Sequence, residues 1–195
     1  MRHESGCLLV YWKVDFVSLF LISFLSARYD GIAVEFLFRF RRKDFAKHMT
    51  TTKKNAAPLK IIPLGGLDGI GKNMTVFECG SDMVLVDAGL MFPDDSQPGI
   101  DLVLPDYTYV LENEDKLRGI IITHGHEDHT GSLPYLLQDL NNKVPIFSSK
   151  LTLGFVEGKL SEFRIRAPKF REVNDGSHIT LGCMTIDFFS MTHSI

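Results

Sequence analysis

The sequence has few cysteines, only Cys7, Cys79 and Cys183 in 195 residues, and no two of them form a CxxC pair. A scattered, odd-numbered set excludes a disulfide-stapled secreted scaffold and fits a protein kept in a reducing compartment. We therefore expect a cytoplasmic protein whose cysteines are buried on strands and do not bind zinc.

A long apolar run is also missing, because the longest clean stretch, residues 16–25, is too short to span a bilayer as a helix. Residues 1–48 have three interpretations: a signal peptide, a membrane-surface segment, or no functional element, with the natural start at Met49. We favour the last. Residues 1–48 are then an extension outside the fold, residues 49–58 a polar lead-in and residues 59–195 the organised domain, with no stable membrane association.

Positive charge is scarce in the main part of the chain. Residues 1–60 carry 11 Lys and Arg against 5 Asp and Glu, a net charge of +6, whereas residues 61–195 carry 10 against 19, a net charge of −9. The acidic part has no excess of basic residues with which to grip nucleic acid by charge alone. A polyanionic substrate would need bound metal ions, or another domain, to hold it.

Short apolar runs separated by turns begin at residue 59. The β-branched run at residues 119–123 predicts a strand buried on both faces, and the patterns at residues 130–140 and 150–163 predict helices. Strands mixed with helices in this order predict an α/β layer structure. Further strands are predicted at residues 60–66, 74–80, 83–89 and 144–149 and on both sides of residues 181–182, and a further helix at residues 106–116.

Three of the seven histidines and two acids lie together in HGHEDH, residues 124–129, directly after the predicted buried strand. Grouping imidazoles in this way costs free energy unless a metal, a catalytic proton relay or water satisfies them. His124 and His126 are two residues apart, so they can bind one ion together only from an extended or loop backbone. Asp128 and His129 fall where the next helix begins, which predicts two adjacent ligand sets.

Imidazole nitrogen and carboxylate oxygen form a ligand mixture that zinc takes, and the spacing differs from the helical HExxH motif of zinc proteases. The alternative is a solvated loop that binds nothing. Four such side chains at the end of a rigid strand favour the metal site, and Glu127 is expected to point away from it into solvent.

Residues 123–137, THGHEDHTGSLPYLL, resemble the HxHxDH signature of metallo-β-lactamase-fold hydrolases. The wider sequence resembles the start of the bacterial ribonuclease J family, in the β-CASP branch of that superfamily. The resemblance begins at about residue 59 and implies an αββα fold, of which this chain holds the first half. It is carried by LGGLDGIGKN (64–73), VLVDAGLMFPDD (84–95), GIDLVLPDYTYV (99–110), KLTLGFVEGKL (150–160) and MTHSI (191–195).

The resemblance implies a site for two Zn²⁺ ions, with Mn²⁺ as the alternative metal. It gives Asp128 a catalytic part beside a metal-bound water, and it gives Asp87 the part of orienting the ligands without binding metal. The implied ligands are His124, His126 and His193 for the first ion, and Asp128 and His129 for the second.

The resemblance also implies 5′-to-3′ exonuclease and endonuclease action on RNA, in RNA processing and decay, by a homodimer or homotetramer. The sequence ends two residues after His193, before the bridging aspartate, the further histidine and the β-CASP insert that the family uses. We therefore expect this fragment to be inactive by itself. Two other classes stay open: a hydrolase of small thioesters or lactones with the same fold, and a non-catalytic zinc-binding remnant.

Overall fold

Two β-sheets and a layer of helices make up the part of the chain described by the computed structural model, residues 6–14, 17–20, 57–67, 69–141, 144–166 and 168–192. Within these ranges no helix is long and apolar enough to cross a membrane. The larger sheet contains strands β3 (Leu59–Gly65), β4 (Met74–Cys79), β5 (Asp82–Val86), β6 (Leu117–Ile121), β7 (Ile146–Ser148) and β8 (Phe170–Glu172), in that spatial order.

The larger sheet changes from antiparallel to parallel at β5. Strands β3, β4 and β5 pair antiparallel, since a two-residue turn at Gly80 and Ser81 joins β4 to β5, whereas β5 to β8 pair parallel. Parallel neighbours need crossover connections, which here contain helices. The helices are α1 (Thr108–Glu112), followed by a 3-10 turn (Glu114–Lys116), then α2 (Glu127–Thr130), α3 (Leu133–Asp139) and α4 (Lys150–Glu162).

The smaller sheet is antiparallel, in the order β2-β1-β10-β9. Its strands are β1 (Gly6–Val14), β2 (Val17–Phe20), β9 (His178–Leu181) and β10 (Met184–Thr192). The sequence predicts residues 1–48 to lie outside the fold, but the backbone of β1 pairs with β10. The physical reason is that a strand edge can accept another extended segment as a further strand. The domain boundaries at residues 48 and 58 stay predictions.

Alternate residues of the central strands face two separate cores. Val76 and Leu85 pack toward the helices, whereas Phe77 and Val84 pack against the smaller sheet, where Phe188 of β10 meets them. Burying a side chain such as Phe77 or Phe188 contributes about 1.5–3 kcal/mol each. The resulting helix–sheet–sheet layers confirm the predicted α/β class.

Most predicted elements are present, with three differences. The predicted helix at 106–116 divides at Asn113, whose backbone (φ −122°) leaves the helical region. Strand β8 was not predicted, because three residues give too short a pattern. Cys79 is buried on β4 as expected, but Cys183 lies exposed in the turn between β9 and β10.

Candidate metal centre

The candidate site lies where β5 and β6 end. These strands are parallel, so the residues that follow them reach the same edge of the sheet. Asp87 follows β5, and its backbone N–H donates to the carbonyl of Ile121, which continues the ladder by one step (2.8 Å). Asp87 then takes a left-handed conformation (φ +61°), which turns the chain and places its carboxylate beside the residues after β6.

Asp87 is the centre of a buried hydrogen-bond network, with 3% of its surface exposed. Its Oδ1 accepts from the backbone N–H of Thr123 (2.8 Å) and from the Thr123 hydroxyl (3.0 Å). Its Oδ2 lies 2.7 Å from Nδ1 of His129. The role of Asp87, orienting ligands without binding metal, stays a prediction, and these contacts are what it would require.

Thr123 lies just before the HGHEDH motif, yet it contacts two residues of the site. Its hydroxyl hydrogen goes to the Asp87 carboxylate, which can only accept, so the 3.0 Å contact with His124 has Nδ1–H of His124 as the donor. The lone pair of His124 is then on Nε2, which lies 3.1 Å from Nδ1 of His126. Thr123 therefore fixes which nitrogen of His124 remains for a metal, and Asp87 does the same for His129.

The atoms that could ligate a metal come in two pairs. Nε2 of His124 is 3.1 Å from Nδ1 of His126, and Nε2 of His129 is 3.4 Å from Oδ2 of Asp128. Two ligands at about 2.0–2.1 Å from one tetrahedral zinc lie roughly 3.3 Å apart, so each pair fits one ion. The rings of His124 and His129 are 4.1 Å apart between centroids, which places the two pairs side by side.

Neither pair is a complete site by itself. In the ranges that the structure describes, no three His, Cys, Asp or Glu side chains form a group that could hold a metal ion. His193, the predicted third ligand of the first pair, lies outside the described residues, so its part stays a prediction.

The charges at the second pair suit a bound cation. Burial alone would lower the pKa of His129, but the charge of Asp87 and the hydrogen bonds to Asp128 and Asp87 raise the pKa to about 10. Burial opposes ionisation of Asp128, yet the hydrogen bond and charge of His129 hold the pKa of its carboxyl below the usual range. A buried positive charge is thus stabilised between two carboxylates, in the place where a metal ion would replace the proton.

The loop after β5 runs against the start of α2. The backbone N–H of Ala88 donates to the His129 carbonyl (2.8 Å), and that of Leu90 donates to the Glu127 carbonyl (3.1 Å). Between them, a Cβ on Gly89 would overlap the carbonyl oxygen of Asp128. Glycine at this position therefore lets the two ligand-bearing segments approach closely.

Two side chains of α4 border the histidine motif. Glu127 is half exposed as expected, but it forms an ion pair with Lys159. The ring of Phe155, 48% exposed, lies against Gly125, where an added Cβ would be 2.8 Å from a ring carbon.

The amino-acid sequence of the chain is similar to a known protein family and to two named relatives. Residues 67–185 match the family model of the metallo-beta-lactamase superfamily. The chain is 45% identical over 143 residues to ribonuclease J of Thermus thermophilus, covering 70% of this chain and 25% of that protein. It is 43% identical over 148 residues to ribonuclease J 2 of Staphylococcus aureus, covering 75% and 26%.

The chain therefore spans about a quarter of the length of the curated relatives it matches. Among solved structures, the short form of human tRNase Z matches with 19% identity and a TM-score of 0.38, over 59% of this chain and 44% of that one.

Proposed function

The chain belongs to the metallo-beta-lactamase superfamily, and from that premise we propose that it is the metal-binding part of a ribonuclease that hydrolyses phosphodiester bonds in RNA. The named relatives, at 43% and 45% identity, are ribonucleases. The observation that carries the proposal is the arrangement of four potential ligands in two pairs around Asp87 and Thr123.

The proposed cofactor is zinc, two ions per complete site, with manganese as the alternative. When bound, such ions supply a nucleophile from water at neutral pH and stabilise negative charge on phosphoryl oxygens. This addition of positive charge matters here, because residues 61–195 carry a net charge of −9 and RNA is a polyanion.

The protein's own residues have separate tasks in this proposal. His124 and His126, with His193, hold one ion, and Asp128 and His129 hold the other. Oδ2 of Asp87 keeps the Nδ1–H of His129 engaged, which fixes the ring and makes Nε2 a better ligand. Asp128, ionised beside His129, can accept a proton from the attacking water.

The finer parts of the proposal follow the resemblance of residues 59–195 to the ribonuclease J family. We propose that the whole protein acts on RNA in both 5′-to-3′ exonucleolytic and endonucleolytic modes, as a homodimer or homotetramer in the cytoplasm.

A chimera tests the proposal directly. Residues 59–192 would replace the aligned segment of the Thermus thermophilus ribonuclease J, so that the part of that protein outside the match, about three quarters of its length, is present as well. We expect zinc- or manganese-dependent cleavage of 5′-monophosphorylated RNA and no hydrolysis of a thioester. The matched control is the same chimera with His129→Ala, which should fold but lose cleavage. A folded, metal-loaded chimera that hydrolyses the thioester and leaves RNA intact would overturn the proposal in favour of a small-molecule hydrolase.

A further inference from the structure

Asn73 lies against the Asp128–His129 pair, although no sequence pattern marks it as a site residue. Its side-chain Nδ2 is 3.0 Å from Oδ2 of Asp128, 3.1 Å from the carbonyl oxygen of Asp128 and 3.2 Å from Nε2 of His129. Asn73 precedes β4 and is 55 residues away from Asp128 along the chain. A third segment of the chain therefore reaches the ligand pair, in addition to those after β5 and β6.

The backbone, and not the side chain, sets the position of Asn73. Its N–H donates to the carbonyl of Asp128 (3.0 Å), and its own carbonyl accepts from the N–H of Gly89 (2.9 Å). Substitution of the side chain leaves both of these hydrogen bonds available. The side-chain amide is therefore an addition to an already anchored segment, and what it adds can be tested separately from the fold.

The chemistry of the amide suits a carboxylate that must bind a cation. Each oxygen of an ionised carboxylate has two lone pairs, so a donor fixed on Oδ2 restricts the rotation of the Asp128 side chain and still leaves a lone pair of Oδ2 for a cation. A Lys or Arg donor would do the same but would place a positive charge beside the ion. Asn73 orients the carboxylate without that repulsion.

We propose that Asn73 is a positioning residue for the second metal ion, which holds the Asp128 carboxylate in its ligating orientation next to Nε2 of His129. The inference rests on the proposed function, because it assumes that Asp128 and His129 are metal ligands. It predicts that removing the amide weakens metal binding at this pair and leaves the His124–His126 pair unchanged.

The experiment compares Asn73→Ala with a matched control, Asn113→Ala, in the chimera described above, because neither ligand pair is a complete site by itself among the residues that the structure describes. The wild type in this comparison is the chimera with neither substitution. Asn113 is also half-buried and donates from its side chain to a backbone carbonyl, that of Tyr109 (3.0 Å), away from the ligands. Co²⁺ is titrated into each protein and followed by absorption and by the ring NMR signals of the individual histidines. These signals distinguish an ion at His129 from one at His124.

We expect Asn73→Ala to weaken Co²⁺ binding at His129 by about 10- to 100-fold, with the titration at His124 unchanged. Asn113→Ala should bind Co²⁺ as the wild type does at both histidines. In the presence of a chelator, which removes the metal, the two variants should have a similarly lower Tm than the wild type. A wild-type midpoint at His129 in Asn73→Ala, or a wild-type chain that binds no Co²⁺ at His129, would overturn the inference.

A second variant keeps the test valid if Asn73→Ala does not fold. Asn73→Leu has a side chain of nearly the same size but no hydrogen-bond donor, so we expect the same loss, about 10- to 100-fold at His129 alone. Equal binding by Asn73→Leu and the wild type at His129, in that case, would overturn the role of Asn73.

Failure of this inference is distinguishable from failure of the proposed function, because RNA is absent from the titration. Selective loss of Co²⁺ in Asn73→Ala, combined with a metal-loaded chimera that leaves RNA intact, supports the role of Asn73 and overturns the nuclease. Unchanged Co²⁺ binding at His129 in Asn73→Ala, combined with a chimera that cleaves RNA, overturns the role of Asn73 and leaves the proposed nuclease standing.

Discussion

Nδ1 of His129 lies 2.7 Å from Oδ2 of Asp87, although the two residues are 42 positions apart and follow different strands. Both are buried, so the charge of Asp87 acts on the ring with little screening by water. The Asp87 carboxylate thus sets both the orientation and the charge of the His129 ring, although Asp87 itself is not a proposed metal ligand.

The first prediction removes that charge and keeps the backbone. Asparagine tolerates the left-handed conformation found at Asp87 (φ +61°), so Asp87→Asn should fold like the wild type. We expect zinc to bind about 10- to 100-fold more weakly, measured by competition with a chromophoric chelator. Asp87→Ala should show the same loss and, in addition, an unfolding free energy lower by about 1–2 kcal/mol than that of Asp87→Asn. Unchanged zinc affinity in Asp87→Asn would contradict the orienting role.

The candidate ligands were predictable because they are neighbours in the sequence. Residues 124–129 follow a run of β-branched residues, and a strand that ends before such a cluster gives the ligands a rigid support without any knowledge of tertiary structure. Thr123 and Asn73 were missed because their roles depend on contacts across 36 and 55 positions. A threonine at a strand end and an asparagine before a strand have no sequence signal of their own.

The layers of the fold were predictable from the sequence, but the side of α4 that packs against the sheet was harder to predict. In the sequence, Val156, Leu160 and Phe163 share one apolar face of the helix predicted at residues 150–163. The first two are buried, but Phe163 is 37% exposed, while Thr152 and Leu153 are buried in its place. Apolar residues lie on several sides of this helix, so periodicity alone does not fix which side meets the sheet.

The second prediction concerns Gly89. A methyl group there would overlap the Asp128 carbonyl, and that carbonyl cannot retreat without breaking the hydrogen bonds between the loop after β5 and α2. We expect Gly89→Ala to lower the unfolding free energy by about 3 kcal/mol or more, measured by urea denaturation without metal.

The matched control is Gly158→Ala on α4, where an added Cβ meets no atom within 4 Å. Alanine is the better helix former by about 1 kcal/mol, so this variant should be more stable than the wild type. Equal effects of the two substitutions would show that the close approach at Gly89 is not needed.

The third prediction tests the contact between the β9–β10 turn and β5. Gly182 has φ +59°, and a Cβ there would overlap the carboxyl group of Asp82. Asp82 is held in place, since Arg118 Nε (2.7 Å) and the Cys183 backbone N–H (2.8 Å) donate to it. Gly182→Ala should therefore cost about 2–4 kcal/mol, from backbone strain and overlap together.

A double-mutant cycle separates the two causes. In an Asp82→Ala background the overlap is gone, so Gly182→Ala should cost only the strain, about 1–2 kcal/mol. The coupling between the two substitutions should then be about 1 kcal/mol or more in the unfolding free energy. Additive effects would mean that the backbone conformation alone requires glycine.

The last prediction concerns Glu78, a carboxylate on β4 with 3% of its side-chain surface exposed. Nζ of Lys60 and the hydroxyl of Tyr109 each donate to it at 2.7 Å, and these hydrogen bonds hold the pKa of Glu78 below its ordinary value of 4.5. Because the pKa is lower in the folded state than in the unfolded state, the contribution of Glu78 to stability is fully present above about pH 4.5. It is lost as the pH falls through the folded-state pKa.

Glu78→Gln should therefore be less stable than the wild type at pH 7, and the difference should shrink as the pH falls below about 4.5. Urea denaturation at several pH values measures this difference in unfolding free energy. Glu172→Gln, at an exposed position on β8, is the control for loss of a negative charge and should change stability by less than about 0.5 kcal/mol. A difference between Glu78→Gln and the wild type that stays constant from pH 7 to pH 3 would mean that Glu78 acts through packing, because only an ionised carboxylate gains from Lys60 in a pH-dependent way.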